Sequence, residues 1–395
     1  MIKPIIKSRK LAAMARRAQL MSTQSTKTEL TADTIAAMQL SMVPGVGPRC
    51  FQNLIDRFGS PEEAVCGGTS DLMDIPGIGQ KLAAQIRQAS SIDVGEEVER
   101  CQKHNIRLLP RHDSHYPTRL TEIDDCPVLL YSRGNLIPAD SMAIAIVGTR
   151  HATSYGKEQA RRLAHGLAMA GFTIVSGLAR GIDAAAHQGA LEANGRTIGV
   201  LGSGLLNIYP TEHAELAMDI SRSGCVLTES PTKASPKPGS FPRRNRIVTG
   251  MSLGVIVVEA GERSGALISA GLAMEQGREV FAVPGRIDNR MSRGCHKLIR
   301  DGAKLIESID DVIEELGPLA TPLQIDKETV VHHPAELKLT EQESKILNSI
   351  QSESTSIEDV VVATGLPVHR VLSTISVLEM RRLIRKTSGS SVARI

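Results

Sequence analysis

Between residues 143 and 283, short apolar runs without alternation recur, each closed by a turn and several followed by a stretch of helical spacing. Ala143-Ile144-Ala145-Ile146-Val147 runs into Gly148-Thr149-Arg150, and Phe172-Thr173-Ile174-Val175 into Ser176-Gly177. Thr197 to Leu201 runs into Gly202-Ser203-Gly204; Val226 to Glu229, Val255 to Glu259 and Val280 to Val283 continue the series. A β-branched run that does not alternate suits a strand covered on both faces. Ser154–Met169 and Ile182–Asn194 carry the intervening helical periodicity. Strand, glycine turn and helix in this order predict an α/β domain built on a doubly wound parallel sheet over residues 101–315. Such sheets take ligands at the carboxyl ends of their strands, where these turns lie.

Ahead of that domain, over residues 31–100, a unit repeats. Met42-Val43-Pro44-Gly45-Val46-Gly47 precedes a helical pattern through Phe51, Leu54, Ile55 and Phe58. Asp74-Ile75-Pro76-Gly77-Ile78-Gly79 precedes another through Leu82, Ala83 and Ile86. Two tandem Pro-Gly-x-Gly hairpins resemble a double helix-hairpin-helix (SAM-like) module, a binder of DNA backbone without sequence preference. Gly45, Gly47, Gly77 and Gly79 are its candidate phosphate contacts, because glycine lets backbone N–H groups come close to an anion. Equally, the module can brace its neighbour. Residues 316–338, opened by Gly317-Pro318, read as a linker, and residues 339–395 as three short helices and a basic β-wing.

Composition removes several classes. The chain of 395 residues has a net charge of only +3, so any anion site must come from local clustering. Its six cysteines form no C-x-x-C pair, which argues against a zinc ribbon or disulfide framework and for a reducing cytoplasm. No apolar run approaches the roughly 18–20 residues of a membrane span. Residues 1–30 hold seven lysines and arginines and one acid, Glu29; they read as a basic disordered arm, with a transit peptide as the alternative. No G-x-x-x-x-G-K-[ST] occurs, and no G-x-G-x-x-G follows the first strand, so neither a P-loop nor a dinucleotide cofactor is expected. No cofactor and no metal are assigned.

The densest chemistry lies in Ser240 to Glu259. Phe241-Pro242 turns into a helix whose first turn carries Arg243, Arg244, Asn245 and Arg246. Arginines at a helix start oppose the macrodipole unless an external anion sits among them. Arg246 can instead pair with Glu229 or Glu259. Asp183 and His187 stand at i and i+4 on one helix face, a spacing open to general acid–base work or to tying a loop. No catalytic residue is assigned.

Gly148-Thr149-Arg150, Ser176-Gly177-Leu178-Ala179-x-Gly181-Ile182-Asp183-x-x-Ala186-His187 and Ser240-Phe241-Pro242-x-Arg244-Asn245-Arg246-Ile247 resemble the DprA/Smf DNA-processing family. So do Ser264-Gly265-x-Leu267-Ile268-x-Ala270, Glu275-Gln276-Gly277-Arg278 and Val283-Pro284-Gly285. Two places depart: Gly204-Leu205-Leu206 stands where the family usually has Gly-Leu-Asp, and Gly294-Cys295-His296 where it has Gly-x-Asn. The resemblance implies an extended Rossmann-like domain that binds single-stranded DNA, forms a homodimer and loads the recombinase RecA in natural transformation and homologous recombination, with no catalytic step. It also implies that the C-terminal helices and wing form a winged-helix domain. Carried over by motif, Gly148, Thr149, Arg150, Ser176 and Gly177 hold phosphate, Phe241 stacks on a base, and Arg243, Arg244, Asn245 and Arg246 reach phosphate or base edges. Lys297 is a further cation. The competing reading is a Rossmann-type nucleotide phosphoribohydrolase of the lysine-decarboxylase-like group, but Gly261 to Ile268 lacks an acid at the position matching that group's catalytic glutamate.

Overall fold

The computed structural model describes residues 31–316 and, beyond them, 323–326, 329–331, 339–351, 354–380, 383–387 and 391–394; the expected arm, 1–30, lies outside these. Six helices open the described chain: α1 (Ala32–Met42), α2 (Pro48–Phe58), α3 (Pro61–Cys66), α4 (Thr69–Met73), α5 (Gln80–Arg87) and α6 (Gly95–Lys103). Gly47 and Gly79 are the N-caps of α2 and α5, and Gly45 and Gly77 turn the chain ahead of them at φ +99 and +88. That positive φ is why each hairpin needs glycine.

The central sheet has nine strands in the order β1-β2-β6-β5-β4-β3-β7-β8-β9. They are β1 (Arg107–Pro110), β2 (Leu129–Gly134), β3 (Ala143–Val147), β4 (Thr173–Ser176), β5 (Thr197–Val200), β6 (Cys225–Thr228), β7 (Gly254–Val257), β8 (Glu279–Ala282) and β9 (Lys304–Leu305). From β6 to β9 all pairs are parallel, but β1 and β2 join antiparallel, so the sheet is mixed rather than wholly parallel. Sequence reading missed these two strands, because the segment joining them, through Tyr116 and Leu120, carries no strand-turn-helix signature.

Helices cover both faces. On one lie α7 (Ser154–Met169), α8 (Ile182–Glu192), α9 (Ala214–Ser223) beside β5 and β6 and, further along, α13 (Ile309–Leu316); on the other α10 (Ser240–Gly250), α11 (Gly265–Glu275) and α12 (Arg293–Arg300). Residues of β3 alternate between the two cores: Ala143, Ala145 and Val147 face the side of α10 and α11, while Ile144 and Ile146 face the side of α7 and α8. Each fully buried isoleucine or valine contributes about 1.5–3 kcal/mol, and burial on both faces explains the unbroken apolar runs. The helix-hairpin-helix segment is not a free appendage. Its Met38, Leu40 and Leu54 share one core with Leu108, Leu129 and Tyr131 of the sheet edge. Glu97 on α6 accepts hydrogen bonds from Thr232 N (2.6 Å) and Oγ1 (3.0 Å).

Within the expected linker, Leu323–Asp326 pairs antiparallel with Thr329–Val331. Beyond it, helices Glu341–Asn348, Ile357–Thr364 and Val368–Met380 pack with a three-stranded sheet around Ile346, Leu347, Val360, Val371 and Ile375. Thr340 and Glu343 form a capping box at the first of these helices. Among the described residues no single helix is long and apolar enough to cross a membrane.

Candidate nucleic-acid interface

The sheet order reverses between β3 and β7: β4, β5 and β6 follow on one side, β8 and β9 on the other. The carboxyl ends of β3 and β7 therefore open the crevice that doubly wound sheets use for ligands. A cleft of about 560 Å³ lies there, lined by Gly148, Thr149 and Arg150 after β3, Phe241, Arg244 and Asn245 on α10, and Ser264, Gly265 and Ile268 at the start of α11. A smaller recess beside it adds Gly177, Arg180 and Tyr209.

Arg244 is the inner wall. It is 5% exposed, and its Nε is buried without a hydrogen-bond partner among the described residues. A Cβ on Gly177 would stand 1.4 Å from Arg244 Nη1, so this glycine makes the space for the guanidinium. Burial pulls the Arg244 pKa down to about 10, opposed by the charge of Asp183. The Asp183 carboxyl is pushed up by burial, against the pull of Arg244 and of the Ala179 and Gly177 N–H groups that donate to it at 3.3 and 3.1 Å. One half-compensated buried cation facing a cleft is suited to an external anion.

Arg150 is the outer wall, exposed, with its guanidinium carbon 4.8 Å from the Phe241 ring centroid. Tyr209 lies 5.7 Å from the same ring, and Gly202 packs under it so closely that a Cβ would come within 3.1 Å of Phe241 Cδ1. Arg180, ion-paired with Glu212, stands over Tyr209. Arginine and aromatic groups thus alternate along the rim.

Other predicted residues are placed elsewhere. Arg246 is turned inward, 4% exposed, held by Glu229 at 2.7 Å and Asp125 at 3.0 Å, so it does not line the cleft. Arg243 is exposed but pairs with Glu229 at 2.9 Å. Ser176 is fully buried and donates to Ile146 O at 2.6 Å, leaving only Gly177 of that pair near the site. Thr149 spends its N–H on Glu259 O at 2.7 Å, so the first turn offers little of a backbone cradle. Lys297 lines a separate cavity with Arg293, His296 and Arg300. His296, at one departure from the family pattern, is tied through Nε2 to Gly285 O at 2.9 Å. The hairpin glycines 47, 77 and 79 face open space, while Gly45 packs on Leu82.

Glu259 was not singled out as a site residue. Its carboxylate accepts from Thr153 N (2.9 Å) and Thr153 Oγ1 (2.6 Å) at the start of α7. A dinucleotide's pyrophosphate would sit at that helix terminus, and here the protein supplies its own anion. Asp183 and His187 are not joined: His187 bonds Thr197 Oγ1 through Nδ1 at 2.7 Å, and burial drives its pKa down to about 3. Among the lining residues of the cleft, Asp183 is the only carboxylate, and its hydrogen bonds go to the protein backbone. Nothing in this arrangement favours the hydrolase reading. Ser264, Gly265 and Ile268, which join the cleft, stood in a recognisable motif, but their role depends on β7 lying beside β3.

The model of the DNA recombination-mediator protein A family matches residues 107–317, that of the DprA winged helix domain residues 331–390, and that of the SAM-like helix-hairpin-helix tandem residues 37–90. The chain belongs to the DprA/Smf family. Protein Smf of Synechocystis sp. is 35% identical over 88% of this chain and 96% of its own length. DNA processing protein DprA of Bacillus subtilis is 44% identical over 54% of this chain and 73% of its own. The X-ray structure of DprA from Streptococcus pneumoniae superposes with a TM-score of 0.64 at 35% identity, covering 72% of this chain and 98% of that one. Membership in the DprA/Smf family places the chain among DNA-processing proteins with helix-hairpin-helix, Rossmann-like and winged-helix parts.

Proposed function

We propose that the chain binds single-stranded DNA in the cleft between Arg150, Phe241 and Arg244, and as a homodimer through the Rossmann-like domain passes the strand to RecA in the cytoplasm. The buried, half-compensated guanidinium of Arg244 behind the exposed Arg150–Phe241 pair carries this reading. Arg244 takes a phosphate oxygen, and an unpaired base stacks on the Arg150–Phe241 edge, where aromatic and guanidinium planes serve any base. Duplex keeps its bases stacked inside and gains only the phosphate contact. No bond is made or broken. The open hairpins at Gly47 and at Gly77 and Gly79 add backbone contact along the same nucleic acid.

Titrating salt against binding of labelled single-stranded and duplex oligonucleotides tests this, for wild type, Arg150→Ala and Arg244→Met. Single strands should bind tighter than duplex, and each variant should flatten the salt slope by about 0.7, the share of one single-strand phosphate. Equal affinity for both forms, with unchanged slopes in both variants, refutes the cleft as the site. Filament nucleation by RecA on coated single strands, followed with wild type and Arg150→Ala, tests the transfer step.

A further inference from the structure

The cavity that holds Lys297 is built unlike the cleft. It measures about 410 Å³ and is lined by Arg293, His296, Lys297 and Arg300 of α12 and by Glu262. Arg293, Lys297 and Arg300 stand at i, i+4 and i+7, one face of the helix, and all three are exposed. From Arg293 to Arg300 the helix rises about 10 Å, the scale of a few successive phosphates rather than of one. The single acid at the cavity, Glu262, meets Arg293 at 3.6 Å in an exposed pair, which in water is worth little.

The loop from Ala260 to Ser264 connects this cavity to the cleft. Ala260 N donates to Met291 O at 2.7 Å, and Gly294 N donates to Ala260 O at 2.8 Å, so the loop is seated on the start of α12. Its far end, Ser264 and Gly265, lines the cleft, and between the two ends Arg263 is exposed. A chain leaving the cleft past Gly265 therefore meets Arg263 and then the α12 cations. No phenylalanine or tyrosine lines the second cavity, and the one ring there, the His296 imidazole, is tied through Nε2 to Gly285 O, so the cavity offers charge rather than a stacking platform.

We infer that Arg263, Arg293, Lys297 and Arg300 form a second, purely electrostatic tract that carries the continuation of a single strand whose bases are held in the cleft. The inference rests on the cleft being the primary site. Short strands fill the cleft alone; longer ones gain the tract. Lys297 thus belongs to strand extension rather than to the pocket that grips a base.

The test compares thymidine oligomers of about six and about thirty nucleotides, lengths spanning the usual single-strand site sizes, on wild type and on Arg293→Ala/Lys297→Ala/Arg300→Ala. All three side chains are exposed, and thermal melting of the variant checks the fold. The triple variant should lower the ratio of long-strand to short-strand affinity roughly tenfold at low salt and flatten the long-strand salt slope by about 2. An unchanged ratio and slope in a folded variant overturns the tract and leaves the cations to an acidic protein surface. Loss of short-strand binding in Arg150→Ala, seen in the same experiment, separates that outcome from failure of the cleft itself.

Discussion

The guanidinium carbon of Arg150 lies 4.8 Å from the centroid of the Phe241 ring. The two residues come from distant turns, one after β3 and one opening α10, and the pair sits at the mouth of the cleft. Phe241 is further hemmed by Gly202 and Tyr209, so its ring is a prop for the arginine as well as a candidate platform for a base. A base must either stack on the guanidinium or displace it. In a double-mutant cycle on single-strand affinity, Arg150→Ala and Phe241→Ala should therefore couple by about 0.5–1 kcal/mol, the range of a partly exposed cation–π pair. Additive losses would mean that the two act separately on the strand.

Arg246 makes a different prediction from its neighbours on α10. It bridges Glu229 and Asp125 from a buried position, and Glu229 is itself mostly buried. Arg246→Ala leaves that carboxylate with Arg243 alone, which is exposed. Removing one partner of a buried pair costs about 3–5 kcal/mol, and partial exposure of Asp125 puts this case at the lower end. Urea denaturation should show the loss, while the salt slope of single-strand binding stays at the wild-type value. A flattened slope in a variant of wild-type stability would place Arg246 on the strand instead.

Much of the architecture was legible because buried parallel strands write themselves as unbroken apolar runs. The Pro-Gly-x-Gly hairpins were legible for a different reason, since positive φ at Gly45 and Gly77 admits few other residues. The antiparallel edge was not legible, because Leu129 to Gly134 is followed only by the short 3-10 turn Pro138–Ser141 and not by an α-helix that would frame it. At the site, Arg150, Phe241 and Arg244 were picked out by motif, yet the motif could not separate Arg244 from Arg246. Their difference is a matter of helical phase: two residues apart on α10, they point to opposite sides, one to Gly177 and the other to Glu229. Ser176 failed similarly, since alternation along β4 sends its hydroxyl to Ile146 O.

Gly177 tests whether Arg244 matters by position as well as by charge. An alanine there would push into the end of a flexible guanidinium, not into backbone, so the fold can adapt by moving Arg244. Gly177→Ala should weaken single-strand binding roughly tenfold, about 1.4 kcal/mol and within the range of one charged hydrogen bond, with a melting temperature near that of wild type. Retained affinity would show that Arg244 does not need its seat on Gly177 to act.

His187 sets a pH dependence of stability apart from DNA. Its ring is fully buried, its Nδ1 is bonded to Thr197, and Nε2 has no partner among the described residues. Burial lowers its pKa from 6.5 to about 3, with the charges of His213 and Arg244 acting in the same direction. The unfolded chain therefore takes up this proton first. Stability from the neutral ring is fully present above about pH 6.5 and is lost as the pH falls towards 3, at a limiting slope of about 1.4 kcal/mol per pH unit for one proton. Asp183 in the same region has its pKa raised, so its contribution runs the other way, and the two are separated by mutation. His187→Met keeps the volume and removes the titration. Denaturant unfolding measured between pH 7 and pH 4 should show a shallower acid loss in this variant than in wild type. Parallel curves would mean that the buried imidazole is not what the acid attacks.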